Sequence, residues 1–169
     1  ETLECWEIAL KSKSTPSAIA LSRQKLPYIN PKLTDENRCE KGAYVVKITS
    51  HDSSVTLVAS GSEVELAMNI QEELKQNNIE SKVVSMPCQE LFETQSDDFK
   101  NDILDKESLI VTIEAGNMMS WNKFSGNKGI SLGINQFGES APYKEVYDHF
   151  NLSTDKIVSS IQERLRNKI

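Results

Sequence analysis

The stretch VTLVASGSEVELAMNIQEELKQNNIESKVVSMP, residues 55–87, decides the fold. It opens with an apolar run of strand character, turns at Gly61, and continues with apolar residues at the three- and four-residue spacing of a helix. Ser62 is placed to cap that helix, which we expect over residues 62–77, and a second apolar strand follows at residues 82–86. A strand, a helix and a strand in this order predict a βαβ unit with parallel strands.

The same alternation continues on both sides of this unit. Further strands are predicted at residues 17–22, 44–48, 109–114 and 130–134, helices at 1–11, 121–124, 142–150 and 154–168, and short helical turns at 91–104. The run at residues 17–22, SAIALS, is short and apolar and favours a buried strand. Alternating elements of these lengths predict an α/β fold, a three-layer sandwich in which helices flank a mostly parallel, mixed sheet.

A polar stretch marked by Pro27 and Pro31 interrupts the alternation between residues 26 and 41. It shows no helical or strand period, so it indicates a linker and a domain boundary near residues 30–41. The chain begins with Glu1 rather than Met, and we expect it to start inside a longer protein.

Composition excludes several classes of function. The net charge of -6 opposes nucleic-acid binding, and no apolar run reaches the length of about 20 residues that a membrane helix needs. The three cysteines are widely spaced, without the pattern of a zinc site or a disulfide framework, and they indicate reduced thiols in the cytoplasm. Two histidines, His51 and His149, cannot form a metal site alone, so no metal is expected here.

The turn at Ser60, Gly61 and Ser62 is a candidate anion site. A strand that runs through a glycine turn into a helix start presents backbone N–H groups that can bind an anion. A tight turn with a helix cap explains the same residues. The spacing matches neither a P-loop nor a dinucleotide fingerprint, which weighs against a nucleotide site marked by Gly61 and Glu63.

The segments together resemble transketolase. The similarity lies in a series of short motifs that occur in the family's order and cover nearly the whole chain. The motifs are ALSRQ-LP at 20–27, KGAYVV at 41–46, LVASGSEVELA at 57–67, KVVSMP at 82–87, LF at 91–92, IEAG at 113–116, LGINQFGESAP at 132–142 and DHF at 148–150. Asn135-Gln136-Phe137 departs from the family, where an acidic–basic pair before Phe is common, and bears on the surface or packing.

The resemblance implies domains, cofactors and partners. Residues 1–30 are similar to the end of the family's pyrimidine-binding middle domain, residues 31–41 to a linker, and residues 42–169 to its C-terminal domain. The family transfers two-carbon ketol units between sugar phosphates of the pentose phosphate pathway, using thiamine diphosphate and Mg²⁺ or Ca²⁺, in a homodimer. The resemblance places the cofactor, the metal and the catalytic residues outside these segments, so the fragment alone is expected to be inactive and to hold no cofactor.

Arg23 matches the arginine of the family's (Ser/Thr)-Arg-Gln motif, which implies a contact with the phosphate of the sugar substrate. A guanidinium group is always charged and grips phosphate oxygens in a bidentate way. Apart from the resemblance, an arginine at this place is more commonly a surface or ion-pair residue.

Two other hypotheses of function stay open at this point. The chain could be a non-catalytic module for dimerisation or for an effector, because docking surfaces for other domains would leave apolar faces exposed. It could also belong to a related thiamine-diphosphate enzyme, such as a deoxyxylulose-phosphate synthase, although the SRQ turn and the QFGESAP loop favour transketolase.

Overall fold

The secondary structure follows the alternation of the sequence. The computed structural model describes residues 1–29 and 36–167. These residues contain five strands: β1 Tyr44–Ile48, β2 Val55–Ala59, β3 Ser81–Ser85, β4 Leu109–Ile113 and β5 Ile130–Leu132. The α-helices are α1 Thr2–Lys11, α2 Glu63–Gln76, α3 Gln89–Glu93, α4 Asp97–Leu104, α5 Asn122–Ser125, α6 Tyr143–His149 and α7 Thr154–Arg166. Two 3₁₀ turns cover Arg38–Lys41 and Met118–Ser120.

The strands form one mixed sheet in the order β1-β3-β2-β4-β5. β2 pairs in parallel with both β3 and β4, and β4 pairs in parallel with β5. β1 is antiparallel to β3, with Tyr44 opposite Ser85 and Ile48 opposite Lys82. The predicted mostly parallel, mixed sheet is therefore confirmed.

Every side chain of β2, β3 and β4 is buried, because helices cover both faces of the sheet. On one face α2 and α7 contribute Ile70, Leu74 and Ile161 to a cluster with Leu57 of β2. On the other face the helices between β3 and β5 bring aromatic residues against Val58. Those aromatic residues are Phe92, Trp121 and Phe124, with ring centroids 5.8–6.2 Å apart in pairs. Strands buried on both sides explain why the sequence shows apolar runs rather than alternation.

The reversed direction of β1 brings the start of the chain to the carboxyl edge of the parallel strands. Gly42 opens β1 with φ of +82°, a left-handed backbone that suits glycine. A Cβ at Gly42 would lie 2.3 Å from both the carbonyl oxygen of Cys88 and the amide nitrogen of Phe92. The closeness of these backbones requires glycine at this position. The chain before β1 thus packs where β3 ends.

One predicted strand is wrong. Residues 17–22 form no strand, and of their side chains only Ile19 is partly buried. A strand needs a hydrogen-bonded neighbour, and the two edges of the sheet, β1 and β5, pair only with β3 and β4. The apolar run is therefore extended coil on the surface of the described residues.

The division into residues 1–30, 31–41 and 42–169 remains a prediction. Residues 30–35, which include Pro31 of the predicted linker, lie outside the described residues, as do Lys168, where the predicted final helix ends, and Ile169. Within residues 1–29 and 36–167 no helix is long and apolar enough to cross a membrane.

Candidate functional site

The site lies at the carboxyl edge of the sheet, between β2 and β4. The chain leaves β2 through α2 toward β3 on one side, and leaves β4 through α5 toward β5 on the other. Neighbouring strands whose connections diverge form a crevice, where α/β proteins usually bind ligands. Ser60 follows β2 directly and Glu114 follows β4, so the two residues face each other across this crevice.

Hydrogen bonds between side chains close the crevice. Ser60 Oγ donates to Glu114 Oε2 at 2.8 Å. Ser62 Oγ donates to Glu63 Oε1 at 2.7 Å, and the hydroxyl of Tyr147 on α6 donates to the same oxygen. Two carboxyl groups and three hydroxyl groups from three segments of the chain therefore form one polar cluster, which we call the edge cluster: Ser60, Ser62, Glu63, Glu114 and Tyr147.

Burial makes the charges of the edge cluster costly. Glu63 is only 3% exposed. Burial raises the pKa of Glu114 to about 7, and the neighbouring Glu63 adds to this rise, while the hydrogen bond from Ser60 opposes it. The influence of Glu63 on the pKa of Glu114 places the two carboxyl groups next to each other. Two carboxyl groups in such contact share a proton more readily than they carry two negative charges.

In the turn that was predicted as an anion site, the hydroxyl groups of Ser60 and Ser62 donate to carboxyl groups of the protein. Ser62 occupies the N-cap position of α2, but its side chain makes no capping hydrogen bond and binds Glu63 instead. Gly61 has φ of +51°, and the amide of Glu63 donates to the carbonyl oxygen of Ser60 at 3.1 Å. The anion site at Ser60, Gly61 and Ser62 stays a prediction, and the two neighbouring carboxyl groups oppose it by repulsion.

Arg23 lies beside this turn. A methyl group built on Gly61 would lie 3.8 Å from Ser22 Oγ, which shows that residues 22 and 61 are neighbours. Arg23 itself is exposed, and Ile29 farther along the segment packs against the core cluster on the α2 and α7 face. The structure thus brings the two predicted sites together, although 37 positions separate Ser60 from Arg23 in the sequence.

Sequence reasoning missed the edge cluster as a unit. The sequence did signal Glu114, since a glutamate directly after the apolar strand LIVTI cannot lie far from the core. The role of Tyr147 had no comparable signal, because α6 has no buried residue and its contact to Glu63 depends on tertiary packing.

The donors of the edge cluster do not fit a diphosphate or its metal ion. Glu63 and Glu114 would repel phosphate oxygens, and the hydroxyl groups around them are already engaged as donors. Across residues 1–29 and 36–167, no group of three or more His, Cys, Asp or Glu side chains is placed to hold a metal. The described histidines, His51 and His149, lie in a turn and at the end of α6.

Comparison with known proteins identifies similar chains. Residues 42–153 match the family model described as the transketolase-like C-terminal domain. Transketolase of Sinorhizobium medicae is 41% identical over 167 residues, which are 98% of this chain and 24% of that protein. The crystal structure of transketolase from Campylobacter jejuni superposes with a TM-score of 0.84 at 36% identity, covering 96% of this chain and 24% of that one.

A transketolase structure from Leishmania mexicana gives a TM-score of 0.86 at 34% identity, with coverage of 99% and 24%. The chain therefore spans about a quarter of the length of the relatives that it matches.

Proposed function

Because this chain belongs to the transketolase-like C-terminal domain family, we propose that it works as the corresponding part of a transketolase. Such an enzyme transfers two-carbon ketol units between sugar phosphates of the pentose phosphate pathway. The observation that carries the proposal is the family match over residues 42–153 together with the shared fold of the solved relatives. The relatives named above are transketolases, which disfavours a deoxyxylulose-phosphate synthase.

The cofactor belongs, in this proposal, to the remaining three quarters of the enzyme. Thiamine diphosphate supplies the carbanion chemistry of ketol transfer, and Mg²⁺ or Ca²⁺ binds its diphosphate. The carboxyl groups of the edge cluster repel a diphosphate, and no third acidic, histidine or cysteine side chain among the described residues joins them to hold a metal ion, so no catalytic step is assigned to residues of this chain. We accordingly propose that the chain alone is inactive.

Arg23 is the residue of this chain that we propose to contact substrate. Its exposed guanidinium group has the charge and the planar fork to hold a sugar phosphate through two hydrogen bonds. Its place beside Gly61, at the edge where α/β proteins bind ligands, supports that role. Holding the phosphate positions the sugar and lowers the entropy cost of the reaction.

The chain is also proposed to pack against the rest of the enzyme and a second subunit. Leu3, Trp6 and Leu10 follow the spacing of one face of α1, and they are 84%, 49% and 77% exposed. A helix face this apolar is normally covered in the working protein. A cytoplasmic location is proposed on the three free thiols, Cys5, Cys39 and Cys88, which are typical of a reducing compartment.

The direct test joins this chain to the remaining three quarters of the Sinorhizobium medicae relative in place of that protein's own matching segment. Ketol transfer is then measured with thiamine diphosphate, Mg²⁺, a ketose phosphate and an aldose phosphate. We expect turnover from the chimera and none from the 169-residue chain alone. A folded chimera without turnover, or clear turnover by the chain alone, would contradict the proposal.

The matched variant of the chimera is Arg23→Ala, with Lys25→Ala as the control. Both residues are exposed cations on the same segment. We expect Arg23→Ala to raise KM for the phosphorylated substrate by about tenfold to a hundredfold, the effect of losing a charged hydrogen-bond pair. Equal effects of the two substitutions would show that general charge, and not a phosphate contact, is responsible.

A further inference from the structure

Two cysteines that lie far apart in the sequence meet where α1 packs on the 3₁₀ turn Arg38–Lys41. Cys39 Sγ lies 4.0 Å from the carbonyl oxygen of Glu1, and the same oxygen accepts the amide hydrogen of Cys5 at 2.9 Å. Cys39 is also the largest influence on the pKa of the Cys5 thiol, as expected of neighbouring side chains. A disulfide requires the two sulfur atoms to approach to about 2 Å, and the shared contact with Glu1 places both cysteines on the same side of this junction.

Polar contacts hold the two elements in this arrangement. Arg38 binds both carboxylate oxygens of Glu4, with Nε 3.0 Å from Oε1 and Nη2 3.2 Å from Oε2. Asn37 Nδ2 donates to the carbonyl oxygen of Glu4 at 2.9 Å. Glu4 precedes Cys5 on the helix, and Arg38 precedes Cys39 on the turn. These contacts therefore hold the residues next to the two cysteines in place.

The two thiols differ in access and in acidity. Cys39 is 1% exposed, whereas Cys5 is only partly buried, so a reagent in solution reaches Cys5 first. The neighbouring Cys39 thiol lowers the pKa of the Cys5 thiol, while the same contact and burial raise the pKa of Cys39. Cys5 therefore ionises more readily than Cys39, and the thiolate is the nucleophile in disulfide exchange.

We propose that Cys5 and Cys39 form a redox-modification site, in which a low-molecular-weight disulfide such as glutathione disulfide converts the pair into an intramolecular disulfide. The Cys5 thiolate attacks one sulfur of the small disulfide and releases one thiolate, leaving a mixed disulfide on Cys5. The departing thiolate takes the proton of Cys39, whose sulfur then attacks the Cys5 sulfur and expels the second small thiolate, which takes up from water the proton that Cys5 released. Two protein thiols are oxidised by two electrons, and one small disulfide is reduced to two thiols.

The product links α1 to the turn that leads into the sheet. The closed loop runs from residue 5 to residue 39 and includes Arg23, so oxidation tethers the segment that lies beside Gly61. Disulfides of this kind in reducing compartments are usually transient and redox-sensing. The inference concerns these thiols alone and does not depend on ketol transfer.

Cys88 provides an internal control. Its Sγ lies 3.5 Å from Glu90 Oε2, and burial raises the pKa of its thiol. Cys5 and Cys88 are both partly buried, so their difference in reactivity reports on the contact with Cys39 more than on access.

The experiment exposes the folded 169-residue chain to graded ratios of reduced and oxidised glutathione, blocks free thiols with iodoacetamide, and maps the peptides without reduction. Trypsin places Cys5 in residues 1–11, Cys39 in residues 39–41 and Cys88 in residues 83–100. We expect a mass loss of about 2 Da and a cross-linked peptide that joins residues 1–11 to 39–41. Dithiothreitol should reverse both changes, and Cys88 should remain reduced.

Variants and rates complete the test. Cys88→Ser should form the cross-link as the unchanged chain does, and Cys5→Ser should abolish it. In the reduced chain, iodoacetamide should modify Cys5 about tenfold faster than Cys88 at neutral pH. A cross-link that forms only in urea, glutathione bound stably to Cys5 without the cross-link, or equal alkylation of Cys5 and Cys88 would each overturn the proposal.

Discussion

Replacement of Glu114 by Gln should make the protein more stable above neutral pH. Burial raises the pKa of Glu114 from 4.5 to about 7, so between these values the folded protein holds a proton that the unfolded chain has released. The free energy of unfolding must then fall as pH rises from about 4.5 to 7. Glutamine keeps an oxygen for Ser60 and offers an N–H to Glu63, without any charge.

The shift in the pKa of Glu114 sets the size of the stability gain expected for Glu114→Gln. A pKa difference of that size corresponds to about 3 kcal/mol if fully expressed. Glu114 is partly exposed, and screening by solvent reduces the expected gain to about 1–2 kcal/mol. The gain should be present at pH 8 and absent at pH 4.5, because Glu114 is protonated in the folded protein at the lower pH.

Urea unfolding at pH 4.5, 6, 7 and 8, followed by far-ultraviolet circular dichroism, measures this difference between the variant and the unchanged chain. Glu139→Gln, which removes an exposed carboxylate from the loop after β5, is the control and should show no such pH dependence. A difference for Glu114→Gln that stays constant with pH, or a variant that is less stable at pH 8, would refute the reasoning about the edge cluster.

Three further predictions concern the packing and one ion pair, and the first of them has a matched control substitution. Gly42→Ala should lower the free energy of unfolding by at least about 2 kcal/mol in chemical denaturation, because a Cβ there meets backbone atoms at 2.3 Å. Its control, Gly138→Ala, would place a Cβ with no atom within 4 Å and should change stability by less than about 0.5 kcal/mol. Ile70→Ala should lower the free energy of unfolding by about 2–5 kcal/mol, since the side chain is fully buried, and an unchanged urea midpoint would contradict this. Arg38→Met should cost about 1 kcal/mol near pH 7. Burial alone would raise the pKa of Glu4, but hydrogen bonds from Arg38 outweigh it and help to lower that pKa to about 2. The stabilisation by this ion pair is therefore present above about pH 4.5 and lost toward pH 2. Acid titration of both proteins checks whether that loss is smaller in the variant.

Sequence reasoning predicted the elements whose signal is local. The helix predicted over residues 62–77 is α2, Glu63–Gln76. Its apolar spacing predicts a buried face of five residues: Val64, Leu66, Ala67, Ile70 and Leu74. Four of them are buried, and Leu66 is only partly buried. The same period-based reasoning correctly placed the strands of the sheet, because apolar runs buried between two helical layers are distinctive.

The errors arose where a partner elsewhere in the chain decides the outcome. Residues 17–22 have the composition of a strand but no strand beside them with which to pair. Ser62 has the position of a helix cap, yet Glu63 attracts its hydroxyl group. The cluster around Glu114 likewise depends on how β2, β4 and α6 meet, which no local pattern records.

The pairing of β1 with β3 has a consequence for how the protein opens. β1 precedes β2 in the chain but pairs only with β3, at the edge of the sheet, so its place in the sheet depends on β3 alone. The parallel strands β2, β3 and β4 have no such dependence on β1. We expect β1, with the preceding turn at Arg38–Lys41, to detach as a unit in native-state hydrogen exchange while the amides of β2 and β4 remain protected to the level of global unfolding.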